Sequence, residues 1–388
     1  MSLQNQLDTL LARTVDSGDL PNLVCVIGSR EGTLYEGAFG ARALGGSAPM
    51  TPDTVVWLAS MTKAITTTGV MQLVEQGRLS LDAPASEVVP QLADTPVLTG
   101  FDASGKPQLR APKRAITLRD LLTHSSGLGY EFSSAAIAKY IEATGMPSIL
   151  GCAKGALAAP LLFDPGERWE YGIGIDWGGQ MLEAVSGQTL GAYLTENLFK
   201  PLSMHSTGFQ LSPAMQARVS GFHARSPEGA LSTMPFAMPT EPEFEMGGGA
   251  LYGTAQDYVR FMRMLLNGGI LEGQRVLQEA TVKEMLRDQC PNLACGHVGT
   301  VAPALLHDAC FFPPEDCGWG LSFLINRKDI PGGRAAGSAA WAGLSNVYYW
   351  LDPIRNVSVM IGTQILPFFD TKMVPFLKDF EREVYAAI

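Results

Sequence analysis

Apolar residues recur at helical spacing from Leu3 to Val15, and two apolar runs follow at Leu23–Gly28 and Thr33–Gly40. The first pattern predicts a helix, and the next two predict strands joined by a glycine-containing turn. A second helical pattern runs over Met61–Gln76 and ends at Gly77, a residue suited to terminate a helix. The chain therefore begins with a helix, a hairpin and a second helix.

Short helical patterns separated by proline and glycine occupy the middle of the chain, and they predict helices at Leu118–Leu122, Ile175–Val185 and Leu190–Leu198. Longer elements return after Gly247-Gly248-Gly249. They are a helix at Ala255–Leu266, strands at Gly318–Asn326, Ser345–Leu351 and Val357–Ile361, and a last helix at Val374–Ala386.

The two ends of the chain are expected to share one sheet, because neither end carries enough elements for a core of its own. Short links between neighbouring strands favour antiparallel pairing. The predicted class is α+β. Residues 1–80 and 240–388 form one discontinuous α/β domain with a central antiparallel sheet, residues 81–239 form a mainly helical domain, and the active site lies between them.

Composition narrows the class of protein. Of 388 residues, 46% are hydrophobic and 17% are charged, which favours a globular chain with a large core. The formal net charge is -10 and no basic cluster occurs, so nucleic acid and anionic lipid are not expected partners. The chain starts without a signal-peptide pattern and has no long apolar run, so a cytoplasmic location without membrane contact is expected.

Six cysteines are too few for a disulfide framework in a chain of this length. Four of them lie between Cys290 and Cys317, together with His297 and His307, so a zinc site has to be considered. Their spacing lacks a CxxC pair, which favours free thiols in a surface excursion. No metal or other cofactor is expected.

A hydroxyl and an amine stand one helical turn apart in Ser60-Met61-Thr62-Lys63, at the start of the second helix. Residues three apart on a helix share a face, so Lys63 can act on the Ser60 proton and prepare its oxygen to attack a carbonyl. The same tetrapeptide also fits an ordinary helix start, with Ser60 as N-cap and Lys63 in solvent.

Two later segments supply the groups that such a serine needs. Tyr171 follows a Pro-Gly turn, and its phenol can accept a proton when a positive charge lies beside it. In Trp341-Ala342-Gly343-Leu344, the glycine would let the backbone lie against a bound acyl group and aim the Leu344 N–H at an oxyanion. Taken singly, a core tyrosine and a simple bulge remain the commoner explanations.

Taken together, the segments resemble the serine hydrolases with the class C β-lactamase and penicillin-binding-protein fold. The residues that carry the resemblance are Ser60-Met61-Thr62-Lys63, Leu121-Leu122-Thr123-His124-Ser125-Ser126-Gly127-Leu128, Pro165-Gly166 leading to Tyr171, Gly247-Gly248-Gly249, and Trp341-Ala342-Gly343. The resemblance implies a β-lactamase/transpeptidase-like fold, which is an antiparallel sheet flanked by helices with an inserted helical domain.

Two positions depart from the β-lactamases of that family. Their Tyr-x-Asn motif is Tyr171-Gly172-Ile173 here, and their Lys-Thr-Gly motif is Trp341-Ala342-Gly343. The amide and the lysine that engage an antibiotic are therefore missing. Trp341 in this place resembles the W-x-G motif of the family VIII carboxylesterases, which keep the fold but cleave esters. The lipase motif G-x-S-x-G does not occur.

The resemblance implies a role for each matching residue. Ser60 is the nucleophile, and Lys63 and Tyr171 share the acid and base work, with Tyr171 preferred as the acceptor of the Ser60 proton. The backbone N–H groups of Ser60 and Leu344 form the oxyanion hole. The residues expected to contact substrate are Trp341, Ala342, Gly343, Tyr130, Trp169 and Gly248.

Aromatic residues near the motifs favour a pocket for apolar acyl or aromatic groups, and these residues are Trp57, Tyr130, Trp169, Trp341, Phe368 and Phe369. The expected function is that of a carboxylesterase, a carboxylic ester hydrolase that cleaves short-chain or aryl esters through a Ser60 acyl-enzyme. A triad of Ser60, His124 and Asp176 is set aside, because Lys63 already supplies a base.

Four alternatives stay open. Three are enzymes on the same scaffold, namely a β-lactamase, a D-amino-acid peptidase and an acyltransferase. The fourth is a non-catalytic acyl-binding protein, because a fold does not fix a function. The expected partner is a small-molecule ester, and homo-oligomer formation is open.

Overall fold

The computed structural model describes residues 2–388, and its helices lie close to the predicted ones. They are α1 Leu3–Asp16, α2 Thr62–Glu75, α3 Leu118–Leu122, α4 Ala135–Thr144, α5 Gly174–Ser186, α6 Leu190–Leu194, α7 Pro213–Gln216, α8 Ala255–Leu266, α9 Glu279–Leu286 and α10 Met373–Ala387. α6 continues as a π-helical turn over Thr195–Phe199. The predicted helix at Leu190–Leu198 therefore exists, but its second half is wound differently.

The strands of residues 2–388 are mostly short. They are β1 Asn22–Gly28, β2 Thr33–Gly40, β3 Val56–Trp57, β4 Val97–Phe101, β5 Pro107–Arg110, β6 Phe222–Arg225, β7 Leu231–Met234, β8 Tyr252–Gly253, β9 Ile270–Leu271, β10 Gln274–Arg275, β11 His297–Val298, β12 Ala309–Cys310, β13 Cys317–Trp319, β14 Leu324–Asn326, β15 Ala339–Gly343, β16 Val347–Asp352, β17 Val357–Gly362 and β18 Ile365–Leu366.

A seven-stranded sheet with the order β13-β14-β15-β16-β17-β1-β2 forms the centre of the fold. Val24 of β1 stands opposite Gly362 of β17 in an antiparallel pair, so the sheet joins the two ends of the chain. The predicted α+β class and the shared antiparallel sheet are confirmed. The domain bounds at residues 80 and 240 stay a prediction.

Helices cover both faces of this sheet, which is why β1 is buried along its whole length. On one face α8 packs so closely that a Cβ added at Gly28 would lie 2.7 Å from Cγ1 of Val259. On the other face lies α1, where Asp8 Oδ1 accepts a hydrogen bond of 2.9 Å from the Tyr35 hydroxyl. The continuous apolar run of β1 is thus an interior strand, covered on both faces.

The single strand predicted over Gly318–Asn326 is wrong. The segment folds back on itself as β13 and β14, with Trp319 opposite Leu324. The reversal uses Ser322 at φ +73°, a left-handed conformation that an alternating apolar pattern does not indicate. The mainly helical middle of the chain also contains two hairpins that were not predicted, β4–β5 and β6–β7.

The outer edge of β15 is free over part of its length. β14 pairs only with Ala339 and Ala340, so the end of β15 from Trp341 to Gly343 has no strand beside it on that side. Its other side pairs fully with β16. This open edge faces the cleft described below.

Within residues 2–388, no helix combines the length and the apolar character that a membrane crossing requires. All six cysteines are free thiols. In the same range, no group of three or more histidine, cysteine, aspartate or glutamate side chains is arranged to hold a metal ion.

Candidate active site

Ser60 lies in a short 3-10 turn, Ala59–Met61, that leads into α2. Ala59 has φ +46°, which is a strained conformation for a residue with a side chain. The turn is held from behind by Leu58, whose N–H donates to the Leu251 carbonyl at 2.9 Å. Ser60 is half-buried at the wall of a cleft.

The amine of Lys63 is fully buried and makes three hydrogen bonds. Its Nζ lies 3.1 Å from Ser60 Oγ, 2.9 Å from the Tyr130 hydroxyl and 2.7 Å from the Gly248 carbonyl oxygen. A charged amine donates all three bonds, whereas a neutral amine donates two and accepts the third from Ser60. The arrangement therefore lets the Ser60 proton pass to Lys63 without movement of heavy atoms.

Burial lowers the pKa of Lys63 far below that of an ordinary lysine, and the carboxyl group of Asp176 opposes this shift. A substantial fraction of the amine is therefore neutral near pH 7. Lys63 can act as a base in the pH range where an exposed lysine could not.

Tyr171 stands between the turn at Gly166 and the start of α5. The next residue, Gly172, presses against the preceding loop, and a Cβ there would lie 2.0 Å from the Leu128 carbonyl oxygen. Lys63 Nζ sits over the phenol ring at 4.6 Å from its centroid. The sequence and this tight packing thus fix the tyrosine beside the serine and the lysine.

The phenol of Tyr171 is protonated at neutral pH. Burial raises its pKa above the ordinary value, and hydrogen bonds with Ser60 and Trp341 oppose the rise without reversing it. The sequence analysis preferred Tyr171 as the acceptor of the Ser60 proton, and a phenol that keeps its own proton is a weak acceptor. The physical reason is that desolvation of the phenolate outweighs the stabilising contacts.

Trp341 contacts Tyr171 directly. Its indole Nε1 donates a hydrogen bond of 3.0 Å to the phenol oxygen. Because an indole can only donate, the Tyr171 oxygen accepts here and its own proton is free to point at Ser60. The indole ring also packs edge-on against Trp319, with ring centroids 4.7 Å apart.

The end of β15 abuts the serine turn. A Cβ at Gly343 would lie 2.3 Å from the Leu58 carbonyl oxygen and 3.1 Å from the Ala59 Cβ. The close contact with Leu58 and Ala59 therefore requires glycine at position 343. The sequence analysis had instead explained this glycine by the close approach of a bound acyl group. Among the turn, loop and side-chain hydrogen bonds of residues 2–388, none uses the N–H of Ser60 or of Leu344.

A narrow cleft, partly open to solvent, lies over Ser60. Its lining is largely apolar and contains no lysine or arginine among the described residues. The lining residues are Trp57, Ala59, Ser60, Tyr130, Phe132, Leu150, Tyr171, Met246, Gly249, Val298, Leu306, Trp341, Ala342, Gly343, Leu344 and Phe368. Of the six aromatic residues predicted to form the pocket, four are in this lining, namely Trp57, Tyr130, Trp341 and Phe368.

Two predicted substrate contacts lie outside this lining and need correction. Trp169 packs behind Tyr171, with its ring centroid 6.0 Å from that of His124 and 5.1 Å from that of Trp319. Gly248 turns its carbonyl to Lys63 instead of to the cleft. Tyr130 lines the cleft with its ring and also accepts a hydrogen bond from Lys63.

His124 does not join Ser60. Its Nδ1 accepts the Gly172 N–H at 3.3 Å, and its Nε2 has no hydrogen-bond partner among the described residues. Burial and the nearby amine of Lys63 keep its pKa well below the usual value, so the ring is neutral. His124 therefore supports the segment that carries Tyr171.

Sequence reasoning missed one part of the site, and it named Asp176 only as a member of a triad that it set aside. Val298 and Leu306, from the cysteine-rich segment, form one wall of the cleft, although nothing in their local pattern indicates it. Asp176 lies beneath Gly248, and its Oδ1 accepts the Gly248 N–H at 2.7 Å. The only signal for Asp176 was an acidic residue in a helix start that is otherwise apolar.

Comparison with known proteins covers nearly the whole chain. A family profile described as Beta-lactamase matches residues 7–378. The lovastatin esterase of Penicillium rubens is 32% identical over an alignment 400 positions long, which covers 98% of each chain. The monacolin J acid methylbutanoyltransferase of Aspergillus terreus is 30% identical over an alignment 404 positions long, which covers 98% of this chain and 95% of that one.

Among solved structures, the unliganded simvastatin synthase of Aspergillus terreus superposes with a TM-score of 0.85 at 28% identity. The superposition covers 98% of this chain and 97% of that structure. The similarity therefore extends over the sheet, the inserted helices and the segments that line the cleft.

Proposed function

This chain belongs to the Beta-lactamase family, and we propose that it is a carboxylesterase that cleaves esters of apolar acids through a Ser60 acyl-enzyme. The observation that carries the proposal is the contact of 3.1 Å between Ser60 Oγ and Lys63 Nζ at the wall of an apolar cleft. The relative named lovastatin esterase supports ester cleavage on this scaffold.

The proton path proceeds from the serine to the leaving alcohol. Neutral Lys63 takes the Ser60 proton as the oxygen attacks the ester carbonyl. The proton returns to the departing oxygen through the hydroxyl of Tyr171, which Trp341 holds in place. A water molecule then repeats the attack on the acyl-enzyme with the same two groups.

The negative charge that develops on the carbonyl oxygen needs two donors. The N–H groups of Ser60 and Leu344 are free of other acceptors among the loop and side-chain bonds and border the same cleft. Each such donor contributes about 3 kcal/mol to the transition state.

The apolar lining favours uncharged esters with short-chain or aryl acyl groups. Anionic antibiotics are poor candidates, because Ile173 and Trp341 occupy the places of the asparagine and lysine that would bind them, and the lining offers no positive charge. β-Lactamase and D-amino-acid peptidase activities are expected to be lower than ester turnover by orders of magnitude.

Acyl transfer to an alcohol is the second candidate, because a relative with 30% identity is named as a methylbutanoyltransferase. The two reactions share the acyl-enzyme and differ only in the acceptor. Product analysis in the presence of an added alcohol separates them. The cytoplasmic location and any homo-oligomer remain predictions from the sequence.

Turnover of p-nitrophenyl butyrate by Ser60→Ala tests the proposal. We expect a loss of about 10⁴-fold or more in kcat. Ser133→Ala is the matched control, because Ser133 is also half-buried but lies outside the cleft lining. Full activity of Ser60→Ala would refute the mechanism. A stable fluorophosphonate adduct on Ser60 with no turnover of any ester would indicate a binding protein instead.

A further inference from the structure

Asp176 is a buried carboxylate with one oxygen unused. It lies in the first turn of α5 and is 1% exposed. Oδ1 accepts the Gly248 N–H, but Oδ2 has no hydrogen-bond partner among the described residues. Burial of an ionised carboxylate without partners is costly, so a charge nearby has to offset it.

Gly248 separates this carboxylate from the catalytic amine. Its N–H donates to Asp176 and its carbonyl oxygen accepts from Lys63, each at 2.7 Å. A Cβ at this glycine would lie 2.6 Å from Asp176 Oδ2 and 2.9 Å from the Tyr130 hydroxyl. The free carboxylate oxygen, the phenol and the amine therefore surround one glycine, where no larger residue fits.

The direct contacts of Lys63 carry no charge. They are the hydroxyls of Ser60 and Tyr130, the Gly248 carbonyl and the ring of Tyr171. The one charged group that acts on its amine is Asp176, and it favours the protonated form. In return, Lys63 favours the ionised form of Asp176, whose pKa burial raises.

We propose that Asp176 is a positioning residue, which supplies the buried counter-charge of Lys63 and anchors the Gly248 turn against the amine. It does not touch the substrate, because it is absent from the cleft lining. The inference rests on the proposed function in that Lys63 is the group whose protonation limits activity.

Several titratable groups besides Lys63 face Asp176. They are Tyr130, Glu131, Cys152 and Tyr171, and His124 faces Lys63. Of these, Glu131 raises the pKa of Asp176 but does not act on Lys63. Glu131 is therefore a suitable control. Its carboxylate accepts a hydrogen bond of 2.6 Å from the Ser148 hydroxyl, away from Lys63.

The test is the pH dependence of the rate at which a fluorophosphonate labels Ser60, measured for the wild-type enzyme, Asp176→Asn and Glu131→Gln. Asparagine keeps an acceptor for the Gly248 N–H and removes the charge. We expect the limb of the profile that reports Lys63 to move to lower pH by about one unit or more in Asp176→Asn. We expect Glu131→Gln to keep the wild-type midpoint.

A purely structural role would lower the labelling rate without moving the midpoint, and that result overturns the proposal. A moved midpoint in an enzyme that cleaves no ester would leave Asp176 as assigned and refute the proposed function. The reciprocal measurement does not depend on the folding of Asp176→Asn. It compares ¹³C NMR titrations of the aspartate carboxyls in wild-type enzyme and Lys63→Met, where we expect the Asp176 midpoint to rise. An unchanged Asp176 midpoint also overturns the proposal.

Discussion

The indole N–H of Trp341 donates a hydrogen bond of 3.0 Å to the phenol oxygen of Tyr171. A tryptophan thus stands where related β-lactamases carry a lysine, and it provides a directed donor without a charge. The bond orients the phenol toward Ser60, and the ring closes one side of the cleft. In the proposed mechanism, Trp341 therefore serves both the proton path and the apolar character of the site.

Replacement of Trp341 by phenylalanine removes this donor and keeps an aromatic ring. We expect kcat for p-nitrophenyl butyrate to fall about tenfold, which corresponds to the loss of one hydrogen bond of about 1.4 kcal/mol. Steady-state kinetics at fixed pH measures it. Trp350→Phe is the matched control, because the buried Nε1 of Trp350 has no partner among the described residues. Equal effects of the two variants would contradict the assigned role.

The pH dependence of kcat/KM for an uncharged ester should report the protonation of Lys63. Burial lowers the pKa of Lys63 to about 7. Since the neutral amine is the base, activity rises with pH through that value and reaches a plateau above it. Stopped-flow or initial-rate measurements from pH 5 to 9 test this. A rate that stays constant over the range would show that Lys63 is not the limiting base.

Gly343→Ala should damage both stability and activity. The new Cβ would lie 2.3 Å from the Leu58 carbonyl oxygen, so the end of β15 has to move away from the Ser60 turn. We expect about 1–3 kcal/mol of destabilisation. Displacement of the Leu344 N–H adds a loss of about 100-fold in kcat. Thermal unfolding and kinetics are compared with Gly32→Ala, where a Cβ meets nothing within 4 Å. Wild-type kcat in Gly343→Ala would exclude an oxyanion role for this strand end.

Leu306→Ala should widen the acyl preference. Leu306 lines the cleft, and its truncation makes room for longer chains beside Ser60. We expect the ratio of kcat/KM for p-nitrophenyl octanoate to that for the acetate to rise about tenfold. Leu305→Ala is the neighbouring control, because Leu305 is outside the lining. If both variants leave the ratio unchanged, the cysteine-rich segment does not contact the acyl group.

The chemical groups were readable from the sequence because their chemistry is local. Ser60 and Lys63 are brought together by one turn of helix, and the structure has them in contact. Tyr171 was detectable from the turn before it. Its ionisation state was not, because desolvation depends on the packing of residues from distant segments.

Other features depended on tertiary contacts that no local pattern reveals. Trp169 stands two residues before Tyr171, but its ring packs behind the tyrosine against His124 and Trp319, which come from distant segments of the chain. The hairpin of β13 and β14 turns at Ser322, which gives no glycine or asparagine signal for a left-handed residue. Val298 reaches the cleft because its segment is bound to distant parts of the chain, with the Val301 N–H donating to the Phe132 carbonyl and the His307 N–H to the Phe368 carbonyl.

The pairing of β1 with β17 also governs when the enzyme can form during synthesis. β1 and β2 are synthesised long before β17, the strand that lies beside β1. The nascent hairpin therefore waits with an unpaired edge while most of the chain is added, a state that invites aggregation. The central sheet can therefore be completed only after β17 has been synthesised, and a chain truncated before Val357 lacks the strand that joins β1 to β16.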